Sequence, residues 1–197
     1  MTVESMLAEA TGLVDVQCPW PEGHPRRVAG YCAHLASAAA LDGIATATLV
    51  KAALLHEIGK LGISEQVLRK ADRLTQEEYA EVKRHPVLGA EMCRPLPDGE
   101  AIAAIVRSHH EHWNGEGYPD GLAGEAIPLG ARILAIADAY DTLTMDRPWR
   151  PAYTPEEALQ ILWFGADTQW DPRLVELFDR VARSRFLTGA PVSGSAA

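Results

Sequence analysis

Positive charge is the first thing this 197-residue chain is short of: 18 lysines and arginines stand against 27 aspartates and glutamates, a formal charge of −9. Such a surface repels polyanions, so a nucleic-acid polymer is excluded as a partner, and any phosphate-bearing ligand must be attracted by local groups. Cysteine is scarce too. The 3 thiols, Cys18, Cys32 and Cys93, are far apart and lack any Cys-x-x-Cys pair. That argues against a disulfide framework and for reduced thiols packing as small hydrophobes in a cytoplasmic protein. No apolar run approaches the roughly 20 residues needed to cross a bilayer. The N-terminus carries Glu4 and Glu9 where a signal peptide would have a basic stretch before an apolar core. Period-two alternation is missing as well, and no internal repeat is visible. The expectation is one soluble, cytoplasmic, all-α domain, large enough to bury its own core.

What the chain does have is helical periodicity. Val3, Met6, Leu7, Ala10 and Val14 fit a short first helix, which Cys18-Pro19-Trp20-Pro21-Glu22-Gly23 interrupts. From His24 to Leu41 apolar positions recur at three and four, with Gly43 as the expected stop. Thr46 to Glu57 is apolar nearly all round, the pattern of a buried central helix, and it ends in the polar pair His56-Glu57 beside Gly59. Thr75 with Glu78 makes a capping box, opening a helix that runs to His85-Pro86 and resumes after a kink to Met92. Ala101 to His110 forms the next helix, and Pro128 opens another that carries Asp138 at mid-length. Thr154-Pro155 and Asp171-Pro172 are N-caps followed by proline, starting helices over 155–165 and 172–187. The expected boundaries are a short extension over 1–23, one domain over 24–188, and a small, polar, disordered tail over 189–197.

Chemistry concentrates where these helices end. His109-His110-Glu111 closes an apolar run and enters the loop Asn114-Gly115-Glu116-Gly117-Tyr118-Pro119. Imidazoles at the mouth of a helix, before a loop that breaks regular structure, suit a metal site better than a packed core. His24, His56-Glu57, His85 and Asp138 come from separate segments, as a site inside a helical bundle requires. Imidazoles and carboxylates are the ligand set of Mn²⁺, Fe²⁺, Co²⁺, Ni²⁺ and Zn²⁺. Two such ions turn water into a strong nucleophile and stabilise phosphoryl charge. His34 and His112 are expected outside the ligand set, His112 at most orienting a ligand. Arg147 and Arg150 have an alternative as salt-bridge partners of Asp141 or Asp146, and Lys60 as a helix-end charge. Trp113, Trp163 and Trp170 are expected to pack, with Trp149 as a candidate wall of a base pocket.

The order of these segments resembles the HD-GYP domains, a branch of the HD superfamily of metal-dependent phosphohydrolases. The matching stretches are His24, His56-Glu57-Ile58-Gly59-Lys60, Leu74-Thr75-Gln76-Glu77-Glu78 leading to His85-Pro86, and His109-His110-Glu111 with Asn114 to Leu122. Ile127-Pro128-Leu129, Asp138 and Arg147-Pro148-Trp149-Arg150 complete the series, which covers residues 24–185. The resemblance implies a helical bundle with a Gly-Tyr-Pro loop beside a two-metal centre. It also implies hydrolysis of cyclic di-GMP to linear pGpG, in some members on to GMP, through a metal-bridging hydroxide. His24, His56 and Asp138 resemble ligands of one ion; His85, His109 and His110 resemble those of the second; Glu57 occupies the bridging position. Iron or manganese is the expected metal, with nickel, cobalt and zinc also within the set. Lys60, Glu57 and Asp138 match catalytic positions, and Lys60, Arg147 and Arg150 match positions that hold substrate phosphate. The loop implies a diguanylate cyclase (GGDEF-type) partner.

Two departures matter. The dyad is His56-Glu57 where the family has His-Asp, and the added methylene moves the carboxylate by about one bond length against a ligand tolerance of about 0.2 Å. That keeps a second function in play: a degenerate HD-GYP domain that binds nucleotide or signals through protein contacts. Trp20 stands where members with three metals carry a glutamate, so two ions are expected. The stretch before His24 is too short for the sensor or receiver domain the family often carries, so regulation is expected to come from partners or to be absent.

Overall fold

A computed structural model describes Glu9, Gly12, Leu13 and residues 22–70, 72–147 and 150–187. Among these residues the chain is all-α, as expected: nine α-helices and two 3-10 turns, with isolated bridges only at Arg147–Arg150 and Ala166–Trp170. The helices are α1 (His24–Ala38), α2 (Gly43–Leu55), α3 (Glu65–Leu68), α4 (Gln76–Val82), α5 (His85–Cys93), α6 (Gly99–Ser108), α7 (Leu129–Thr144), α8 (Pro155–Phe164) and α9 (Pro172–Arg185). The 3-10 turns are Ile58–Gly62, after α2, and Gly124–Ala126, before α7. Glu9, Gly12 and Leu13 are helical. The rest of the expected first helix, Cys18, Trp20, Ala71, Pro148, Trp149 and the tail over 189–197 lie outside the described residues.

Local signals set most boundaries. Thr75 and Thr154 each form a complete capping box, with Glu78 and Glu157, and Asp171 accepts from the Arg173 amide. One expectation fails at Gly43, which does not stop α1 but begins α2. The Asp42 carboxylate accepts from the Ala45 amide and nucleates the new helix there, while the left-handed turn after α1 falls on Ala40 (φ 56°).

Helix α2 is the central element, packed against α1, α6 and α7, with α1 also lying on α7 and α9. Leu35, Leu49, Ile102, Ile133, Leu134, Leu162 and Phe178 are wholly buried between them, each stabilising the fold by about 1.5–3 kcal/mol. Cys32 and Cys93 are free and buried, as expected of small hydrophobes. Trp170 packs, but Trp163 does not; it is 45% exposed at the end of α8. The turn after α2 touches α5 backbone to backbone at Gly59, where any Cβ would run into the His85 carbonyl oxygen and the Gly89 nitrogen. That contact brings His56, Glu57 and Lys60 against His85. No helix among the described residues is long and apolar enough to cross a membrane.

Candidate metal centre

Four helix ends meet at one point. His24 is the first residue of α1, His56 caps the C-terminus of α2, His85 opens α5, and His109 caps α6 with His110 next to it. Their rings form a continuous chain, with centroids 5.3 Å apart for His24–His56, His56–His109 and His85–His109, and 4.1 Å for His109–His110. The ligand atoms fall into two groups, His24 with His56 and Glu57, and His85 with His109 and His110, each within 4.8 Å. Asp138, midway along α7, joins the first group: its Oδ1 lies 3.3 Å from His24 Nε2 and 3.8 Å from His56 Nε2. Glu57 stands between the groups, its Oε2 3.4 Å from His85 Nε2 and its Oε1 accepting from the buried Lys60 ammonium. The longer glutamate therefore reaches both groups.

The histidines are aimed by the helices they terminate. Nδ1 of His56, His85 and His109 lies 2.7, 2.8 and 2.6 Å from the carbonyl oxygens of Ala53, Val82 and Val106. Each carbonyl belongs to the last turn of α2, α4 or α6, where helical partners run out. A carbonyl only accepts, so each Nδ1 carries the proton and each Nε2 presents a bare lone pair to the centre. His85 Nε2 and His109 Nε2 thus face each other at 3.4 Å with no proton between them. His56 Nε2 and Glu57 Oε2 are buried with no hydrogen-bond partner. Unpaired buried acceptors are costly, and facing lone pairs repel. A cation in each group would satisfy these atoms, and the donor set of imidazole and carboxylate fits a first-row divalent ion.

Electrostatics differ between the groups. Burial pulls the His24 imidazole down, but hydrogen bonds to Asp138 and Asp141 outweigh it and raise the group to about 9. Burial works against the Asp138 and Glu57 carboxylates as well, yet the imidazoles facing Asp138, and Lys60 and His85 facing Glu57, hold both well below the usual carboxylate range. In the other group burial prevails, taking His85 to about 4 and His110 to about 3, with His109 also lowered. Neutral imidazoles are what a metal needs.

The supporting roles of several residues escaped the reading of the sequence. Asp141, 1% exposed, accepts from His24 Nδ1 through Oδ2 at 2.7 Å and from Arg27 Nε through Oδ1 at 2.7 Å. The signal was present as Asp138-x-x-Asp141 on α7 and His24-x-x-Arg27 on α1, each pair on one helix face. Glu111, 3% exposed, accepts from the Asp120 and Leu122 amides and so fastens the Gly-Tyr-Pro loop. Tyr118 of that loop stacks on His110, centroids 4.9 Å apart at 27°. Among the positions expected at the phosphate, Arg147 is buried, donates to Thr142 Oγ1 at 3.2 Å, and feels the carboxylates of Asp138, Asp141 and Glu57. Arg150 instead grips the Thr142 and Leu143 carbonyls at the end of α7 and covers the Tyr153 ring. His34 lies against Phe186, away from the centre. The His112 carbonyl accepts from the Gly115 amide in the loop.

A family model described as HD domain matches residues 10–174, most of the chain. The chain belongs to the HD domain family. Within it, the ordered motifs place it in the HD-GYP branch. It is 44% identical over 127 residues, 64% of its length, to the cyclic di-GMP phosphodiesterase response regulator RpfG of Xanthomonas campestris pv. campestris, of which it covers 34%. It is 36% identical over 160 residues, 81% of its length, to 3'3'-cGAMP-specific phosphodiesterase 3 of Vibrio cholerae, covering 35% of that protein. The crystal structure of the cyclic GMP-AMP specific phosphodiesterase V-cGAP3 of V. cholerae superposes with a TM-score of 0.75 at 26% identity, over 95% of this HD domain and 50% of that chain. The chain thus spans about a third of the length of these curated relatives.

Proposed function

We propose that this HD domain is a metal-dependent phosphodiesterase that opens cyclic di-GMP to linear pGpG, with GMP as the product of a second cut. The observation that carries the reading is the pair of bare lone pairs, His85 Nε2 and His109 Nε2, facing each other at 3.4 Å while both Nδ1 atoms are committed to carbonyls. His24, His56 and Asp138 would hold one divalent ion, His85, His109 and His110 a second, and Glu57 would lie against both. Iron and manganese are the ions favoured, with nickel, cobalt and zinc compatible with the same donors. Two such ions, when bound, would supply an activated water and neutralise phosphoryl charge. The residues do the rest. Lys60 donates to Glu57, keeps it ionised and would add a positive charge beside the phosphate. Arg147 would reach the phosphate from α7, while Arg150, bound to carbonyls, would hold the segment that carries it. Relatives named as cyclic di-GMP phosphodiesterases support the substrate.

The catalytic unit would be residues 24–188, and the free thiols of Cys32 and Cys93 support a cytoplasmic site of action. The exposed loop tip at Asn114 and Glu116 is the surface a diguanylate cyclase (GGDEF-type) partner would meet. Glu57 in place of aspartate favours a second reading, a degenerate domain that binds nucleotide or protein without turnover. Anaerobic purification, a metal count and a cyclic di-GMP assay beside Glu57→Asp separate the two. Two ions and turnover in the native protein establish the enzyme. Turnover in Glu57→Asp alone favours the degenerate domain, and no ions with no activity in either sinks the enzymatic reading.

A further inference from the structure

Beside the candidate metal centre, a lysine lies over aromatic rings. Lys83, the cap of α4, has no carboxylate partner among the described residues, although the chain carries a net charge of −9. Its ammonium stands 5.1 Å from the centroid of the Tyr79 ring, one turn earlier on α4, and 6.0 Å from that of Tyr118. Tyr118 in turn stacks on His110. A continuous wall therefore leads outward from the imidazoles through Tyr118 and Lys83 to Tyr79, which is 50% exposed. The Tyr118 phenol is raised by burial and by Tyr79, Glu57 and Asp138 together, which places all three within electrostatic reach of it.

We propose that Tyr79, Lys83 and Tyr118 form the subsite for a guanine base of the substrate, an inference that rests on the cyclic di-GMP reading above. Guanine offers O6 and N7, two acceptors side by side, to an ammonium donor. The exposed Tyr79 ring takes the face of a base by stacking, while Tyr118, already stacked on His110, forms the inner edge of the subsite. Adenine puts an amino donor where guanine has O6, so the same ammonium meets it poorly. A bare phosphate would use the lysine but gain nothing from the rings. The subsite thus explains why a cation is held over aromatic faces here and not in an ion pair.

The test compares kcat/KM of the metal-loaded full chain, Lys83→Met, Tyr79→Leu and Lys83→Arg on cyclic di-GMP, cyclic di-AMP and bis(p-nitrophenyl) phosphate, a phosphodiester with no base. For Lys83→Met and Tyr79→Leu, the ratio of cyclic di-GMP to the base-free diester falls about tenfold, through KM. Lys83→Arg recovers most of the ratio. For Lys83→Met the loss on cyclic di-AMP is smaller than on cyclic di-GMP. Native turnover of cyclic di-GMP with an unchanged ratio in both variants overturns the subsite alone. Equal losses on both cyclic dinucleotides make Lys83 a phosphate contact and also overturn it. A native protein that cleaves the base-free diester but not cyclic di-GMP overturns the proposed function, and the subsite falls with it.

Discussion

His24 and its neighbours are crowded with acids, whereas His85, His109 and His110 are surrounded by backbone, by one another and by Tyr118. On the acidic side Asp138 and Asp141 bracket a single imidazole, 3.3 and 2.7 Å from its two nitrogens, and raise it to about 9. On the other side carbonyls take the Nδ1 protons of His85 and His109, and burial takes His85 to about 4 and His110 to about 3. One residue type therefore serves two purposes. The acidic side attracts a positive charge whether or not an ion supplies it. The apolar side offers neutral lone pairs, with Glu57 as its nearest negative charge. The first ion should bind through charge and the second through geometry, so the second is the one more easily lost.

The sharpest way to break this contrast is to remove a ligand from each side in turn. Asp138→Ala is expected to lose one ion and about a thousandfold in kcat/KM on cyclic di-GMP, a barrier change of about 4 kcal/mol. His110→Ala is expected to keep the ion on the acidic side, and metal analysis of both proteins checks the split. Loss of both ions in both variants would mean that the sides act as one unit. A smaller effect is expected at Asp141→Asn, which keeps the shape of the His24 partner but removes its charge. Metal affinity there falls by about 10–100-fold, read by competition with a chelator. The apolar side should be unmoved by that change.

Acidity sharpens the contrast without mutation. In the metal-free protein His85 and His110 titrate at about 4 and 3, against 6.5 when unfolded. Below pH 6.5 the unfolded chain takes up protons that the folded chain refuses, so stability falls as pH drops toward 4. His24, raised from 6.5 to about 9, contributes fully below pH 6.5 and loses that contribution as pH rises through 9. Thermal midpoints of the chelated protein are expected to peak near pH 6.5 and to drop by several degrees on either side. A midpoint that rises steadily across this range would contradict the opposed roles. The smallest effect is expected at Tyr118→Leu. Loss of the ring stacked on His110 should weaken retention of the second ion a few-fold, roughly 1 kcal/mol, seen as faster release to chelator.

Much of this was legible because it is local. The capping boxes at Thr75 and Thr154, the prolines opening α8 and α9, and the histidines as ligand types each depend on a few neighbouring residues. What was not legible depends on packing. Asp141 and Arg27 were ordinary charges until α1 lay on α7 and put them 2.7 Å apart. Glu111 counted as one more acid after two histidines, and only the fold turns it inward to hold the loop. Gly43 carried an ambiguous signal, since glycine serves both ends of a helix, and Asp42 decided it. The tautomers of His56, His85 and His109 follow from the exact ends of α2, α4 and α6, where prediction from sequence is weakest.

The pairing of His24 with Asp141 spans 117 positions of the chain. A chain emerging from the ribosome can wind α1 against α2 early, because those helices are adjacent, but His24 lacks Asp138 and Asp141 until α7 has appeared and docked. Contacts of such long range form late. The centre is therefore closed last, by the same helix that buries Ile133, Leu134 and Ile136 in the core. A nascent chain already carries all five histidines of the cluster and Glu57, so what α7 adds is the pair of carboxylates that gives one half of the centre its charge.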